Sequence, residues 1–173
     1  VMKSLIYSKG DKALYISKMS KLLRKWFILL PPATGKATAK ACLKLLIGIS
    51  PLKSGIFSAG NGSAMKSAML GVYFDDIDKI KLFSKLTTII THSDIKAEIG
   101  ALIVAFTTYL AIRNENIDFD YYLNETTNLL KPYNCEDFIK ILNDVIISVK
   151  SGESLRNYLD KNNQKGVSAY VYH

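Results

Sequence analysis

Two short stretches of this chain hold residue types that can act on a small anionic molecule. The first is 57–65, FSAGNGSAM, where Gly60-Asn61-Gly62 stands ahead of a helical pattern. Glycine tolerates left-handed backbone and lets a ligand come close, and the first amides of a helix have no intrahelical acceptor. Unpaired amides and the helix dipole both favour an anion, so the stretch reads as a cradle for phosphate or a nucleotide. The same glycines also make an ordinary turn, and the residues alone leave both readings open. The second stretch is Thr91-His92-Ser93-Asp94, between two helical patterns. There His92 can face a cleft, while Thr91, Ser93 and Asp94 can equally cap the helix that follows.

The remaining polar groups carry less. Asp75-Asp76-x-Asp78 and Asp118-x-Asp120 follow the breaks where helices start, so capping explains them, and neither has a matching acidic cluster to complete an oxygen shell for magnesium. No Cys or His spacing suits zinc, and no Ser-His-acid set stands out. Cys42 and Cys135 are too few for a disulfide framework and read as buried thiols in a reducing cytoplasm. The residues by themselves assign no metal ligand and no catalytic group.

The elements that must position these stretches are helical. Between Asp11 and Leu30 the apolar residues recur at three- and four-residue steps, and Pro31-Pro32 ends the pattern. A second helix is expected over 34–47, an irregular loop over 50–62, and a helix starting directly from that loop. Asp75 or Asp76 opens the next helix and Asp94 another. Later helices are expected over 119–130 and 135–150, with Asn134 and Asp137 as a capping pair, and a short one after Ser151. No strand-like alternation persists. The expected architecture is an all-α, compact orthogonal helical domain of about seven helices, with the whole chain, 1–173, as one domain. A length of 173 residues and a 49% hydrophobic content suffice for one core.

The longest uncharged apolar run, 99–112, is shorter than the roughly 20 residues that cross a bilayer, so it reads as a central core helix with no membrane partner. The start of the chain carries no recognisable export signal. Net charge is +8, and the bases crowd the first third, Lys18 to Lys44 included. A solvated helix surface is the commoner explanation, so nucleic acid is not the expected partner, though a basic helical nucleic-acid-binding protein stays as an alternative.

FSAGNGSAM and Thr91-His92-Ser93-Asp94, separated by a helix containing Leu70-Gly71-Val72, together resemble the middle of the ADP-ribosylglycohydrolase family, of the dinitrogenase reductase-activating type. The likeness extends from 37–46, ATAKACLKLL, through Ala97-x-x-Gly100-Ala101-Leu102, to 166–171. It implies an all-α hydrolase that binds ADP-ribose, or an ADP-ribosylated protein, and cleaves an N- or O-glycosidic bond at the distal ribose with two magnesium or manganese ions. By the same resemblance Phe57, Ser58, Gly60, Asn61, Gly62, Ser63 and Met65 would line the diphosphate and ribose, His92 would touch the same substrate, and Tyr170 would lie on the adenosine side. Lys66 departs from the family pattern, which often has Arg there, and loses the bidentate fork. Family metal ligands usually come from an early Thr-Asp-Asp and a late Asp-x-Asp-[Ser/Thr] motif, and neither occurs in this sequence. The expectation is therefore a central, incomplete segment of such an enzyme, with an inactive ADP-ribose-binding remnant as the alternative.

Overall fold

The computed structural model describes residues 1–161, and these form nine α-helices and two 3-10 turns, with no strand among the described residues. The helices are α1 (Met2–Ser8), α2 (Lys12–Ile28), α3 (Lys36–Leu46), α4 (Ala68–Tyr73), α5 (Ile77–Ile89), α6 (Ile95–Arg113), α7 (Phe119–Leu130), α8 (Glu136–Lys150) and α9 (Leu155–Lys161). The all-α expectation holds. The count exceeds about seven partly because α1, at 7 residues, is too short to display a periodic pattern.

Aspartates start four of these helices as their positions suggest. The Asp11 carboxylate accepts from the Leu14 amide, Asp76 from Asp78 and Lys79, Asp94 from Lys96, and Asp118 from Tyr121. Each satisfies amides that the first turn leaves without partners. Two other caps differ from expectation. Asn134 takes a left-handed conformation, φ 48°, after the 3-10 turn Lys131–Tyr133, and α8 starts from Cys135 with no side-chain cap. Ser151 ends α8, while the Ser154 hydroxyl accepts from the Asn157 amide in α9. After α2, Leu30 and Ala33 both have left-handed backbone, with φ of 48° and 56°, on either side of Pro31-Pro32.

The apolar run occupies α6, the element around which the others assemble. Its 19 residues make it long and apolar enough to cross a membrane by composition, but Ala97, Ile99, Ala101, Leu102, Ala105 and Phe106 are buried against protein. α4 and α5 pack along it, with Leu70, Phe74, Ile80 and Phe83 in the same core. Tyr15 of α2 joins this core edge-on to Phe83, 4.9 Å between ring centres, and its hydroxyl lies 2.6 Å from Thr87 Oγ1. Arg113, at the C-terminal end of α6, donates to the carbonyls of Gly71 and Phe74 and to the Asp75 carboxylate. It thus covers the last carbonyls of α4, which a helix of only six residues could not stabilise by itself.

Gly71 sets the distance between α4 and α6. A β-carbon there would stand 2.0 Å from the Ala105 carbonyl oxygen and 2.7 Å from the Tyr109 nitrogen, both backbone atoms of α6. Backbone in a packed helix cannot yield as a flexible side chain can, so α4 would have to move bodily. Gly71→Ala is expected to lower unfolding stability by about 3 kcal/mol, read as the urea midpoint. An unchanged midpoint would mean that the two helices are not in contact at this point.

Candidate functional site

The loop between α3 and α4 is sewn onto the junction between α5 and α6, which brings the two chemical stretches of the sequence together. The Ser54 hydroxyl donates to the Ile90 carbonyl at 2.8 Å. The Ile56 amide donates to the Thr91 carbonyl at 3.1 Å, and the Ser93 amide donates back to the Ile56 carbonyl at 2.9 Å, a single parallel bridge between Ile56 and His92. Gly55 permits this approach, because a β-carbon on it would lie 2.4 Å from the Ile89 carbonyl oxygen. Farther on, the fully buried Ser63 hydroxyl donates to the Ala97 carbonyl in the first turn of α6.

Beyond Gly62 the chain does not enter an α-helix directly. It makes a 3-10 turn, Ala64–Lys66, in which the Met65 amide donates to the Asn61 carbonyl, and α4 begins only at Ala68. Left-handed glycines among the described residues are Gly10, Gly48 and Gly152, none of them in this loop. Gly62 serves close packing instead. A β-carbon on Gly62 would meet His92 Cε1 at 3.0 Å and Thr38 Oγ1 at 3.3 Å.

That contact shows where His92 lies. It is only 3% exposed and stands behind the loop, with Nδ1 2.9 Å from Thr91 Oγ1. The expected cleft-facing position is not what the structure has. Lys66 donates from Nζ to the same Thr91 Oγ1 at 2.8 Å. Thr91 has one hydrogen to give, and His92 Nδ1 at 2.9 Å is better placed to take it than the Thr88 carbonyl at 3.4 Å. The imidazole is then neutral with its proton on Nε2. Burial, reinforced by the Lys66 charge, pulls His92 down to about 4. Burial likewise pulls the Lys66 amine down to about 8.

The other side of the loop faces a cavity of about 1310 Å³. Phe57, Ser58, Gly60, Asn61, Gly62 and Met65 line it, so six of the nine residues proposed from sequence share one wall. Ser63 and His92 are buried behind that wall, and Tyr170 lies outside the described residues, as does the 166–171 stretch. Phe57 and Met65 are 82% and 78% exposed and form an apolar rim, while the Ser58 hydroxyl accepts from the Gly60 amide and holds the loop's bend.

Sequence reasoning did not place the rest of the lining. It comes from Leu22, Leu23 and Trp26 of α2 and from Gly35, Lys36 and Thr38 where α3 begins. α3 has no side-chain cap and no acid in its first turn, so its leading amides and dipole face the cavity side without a counter-charge of their own. The signal was present: Gly35-Lys36 after a double proline, opening a helix, is the same kind of feature as Gly60-Asn61-Gly62. Charged side chains on the lining are Lys36, Lys66 and Asp94. Asp94 already accepts from the Lys96 amide, so the cavity is biased toward an anion.

The family model for ADP-ribosylglycohydrolase matches residues 1–172 of the chain. Over 80 residues the chain is 28% identical to ADP-ribosylhydrolase ARH3 of Gallus gallus, a stretch that makes up 46% of this chain and 22% of that protein. The match therefore spans about a fifth of the relative's length. No solved structure matches the chain.

The buried imidazole gives the fold an acid sensitivity of predictable sign. His92 has a folded value near 4, below its unfolded value of 6.5, so the unfolded chain binds the extra proton first. Its contribution is complete above pH 6.5 and is lost as pH falls toward 4. The loss should be about 3 kcal/mol relative to His92→Gln, whose denaturation midpoints should change less over the same window. Parallel pH profiles for the two proteins would mean that the imidazole is solvated.

Proposed function

Because the chain belongs to the ADP-ribosylglycohydrolase family, we propose that the cavity between the 57–62 loop and α3 binds ADP-ribose, and that the chain brings this binding site to the removal of ADP-ribose from modified protein side chains. The carrying observation is that the uncapped start of α3 lines the same cavity as the 57–62 loop, together with Lys36 and Lys66. A diphosphate set between them meets helix-start amides and Lys36, each a source of favourable charge contact for a dianion. Trp26, Leu22 and Leu23 offer an apolar surface alongside for the uncharged parts of the ligand.

The two magnesium or manganese ions implied by the family resemblance do not fit the donors at hand. Among the described residues Asp94 is the one carboxylate on the cavity lining, engaged as the cap of α6, and no group of three His, Cys, Asp or Glu side chains comes together. Divalent ions of this kind take several oxygen ligands, which the described lining does not supply. Binding without turnover is accordingly the second reading, and release of ADP-ribose from arginine- or serine-modified protein by the purified chain would exclude it. Family membership gives no support to the nucleic-acid alternative. A cytoplasmic setting, suggested by the two free thiols, remains part of the proposal.

Calorimetric titration tests the binding site. ADP-ribose should give saturable heat, and Lys36→Glu, at an exposed position, should weaken it by about tenfold with a reduced dependence on salt. The absence of saturable binding at millimolar ADP-ribose would remove the proposal.

A further inference from the structure

Lys66 is a nucleophilic group that the proposed phosphate contacts do not employ. It comes from the 3-10 turn directly after the loop and belongs to the cavity lining. Its ammonium is held by a neutral partner, Thr91 Oγ1 at 2.8 Å. The ion pairs among the described residues are Lys81–Asp78, Arg113–Asp75 and Lys150–Asp120, so no carboxylate fixes the charge on Lys66. Burial favours its uncharged form and brings the amine to about 8, although the nearby Cys42 opposes that shift. An ordinary lysine is almost wholly protonated at neutral pH, whereas an amine near 8 is free base in about one molecule in ten. A desolvated lysine in a cavity is the usual arrangement for attack on a carbonyl.

We propose that Lys66 is a carbonyl-reactive amine that forms a reversible imine with the reducing end of a phosphorylated aldose lodged in the cavity. The inference rests on the reading of that cavity as an ADP-ribose site. Free ADP-ribose has such an end, because the distal ribose opens from its hemiacetal to an aldehyde at C1. A conjugate does not, since its C1 is locked in the glycosidic bond. The Nζ lone pair adds to the C1 carbonyl carbon, and the carbonyl oxygen takes a proton, giving a carbinolamine. That hydroxyl then leaves as water while nitrogen gives up its remaining proton, and a C=N bond is formed. Water addition reverses the sequence, and no oxidant or reductant is consumed. Thr91 is a positioning residue in this scheme: its hydroxyl accepts from Nζ and keeps the amine beside the loop. The consequence is selective retention of released ADP-ribose over the bound conjugate.

Reductive trapping tests this on the full chain. Incubation with ADP-ribose and sodium cyanoborohydride should fix one ADP-ribose through a secondary amine, saturably, and peptide mapping should assign it to Lys66. Excess ADP, which shares the nucleoside diphosphate but has no reducing end, should compete it away. Lys66→Arg keeps the positive charge and removes the nucleophile, so its labelling should vanish. Because the mapping is made on the unaltered chain, the test stands even if that variant folds poorly. Labelling spread without saturation over surface lysines, or mapped to another amine such as that of Val1, overturns the inference. A parallel titration without reductant separates the two claims. Saturable ADP-ribose heat with no Lys66 adduct defeats only the imine, and no heat at all defeats the binding site itself.

Discussion

The arrangement depends on how closely the backbone of α4 can lie against α6. At Gly71 the two helices approach until the space for a single methyl group is gone. That proximity fixes the 3-10 turn that precedes α4, and the Ser63–Ala97 hydrogen bond repeats the attachment about two turns earlier along α6. The loop then has little freedom in where it begins or ends. Its middle is pinned to the α5–α6 junction through Ser54, Ile56 and Ser93. The cavity wall is thus the outer surface of a segment anchored from inside, preorganised by its own attachments.

At that wall two basic side chains share one hydroxyl, Lys66 from the lining and His92 from behind it. Lys66 and His92 both meet Thr91, and the Lys66 charge makes the protonated form of His92 less favourable. Only a neutral imidazole can accept the threonine hydrogen on Nδ1, so the pair settles with the charge, when there is one, on the lysine. The result is a buried network that stays satisfied in either state of Lys66. His92 supports the loop by its shape, filling the space that Gly62 leaves open, and its contribution to the cavity is indirect.

Much of the fold was legible because its signals are local. Asp11, Asp76, Asp94 and Asp118 each precede an apolar periodic run, and each caps a helix. α6 was readable as a core helix from its uncharged length. The errors fall where local signals compete. Asn134 satisfies a capping rule and a left-handed turn rule equally well, and the turn prevailed. The loop glycines fitted a left-handed cradle, but tertiary packing against His92 and Ile89 accounts for two of them. Six lining residues were legible as one contiguous stretch, whereas α2 and α3 join the site from positions remote in sequence, and no spacing rule reports such a meeting. The side His92 faces was likewise a matter of burial, which a junction between two helices does not specify.

Met65 gives the cavity a chemical vulnerability. Its side chain is 78% exposed on the cavity rim, in the same turn that carries Lys66. Peroxide reaches such a sulfur readily and adds an oxygen, converting a soft apolar lip into a polar, chiral sulfoxide. Aerobic ageing can thereby alter the entrance without disturbing the core beneath it, and the reduction of methionine sulfoxide would restore the original surface.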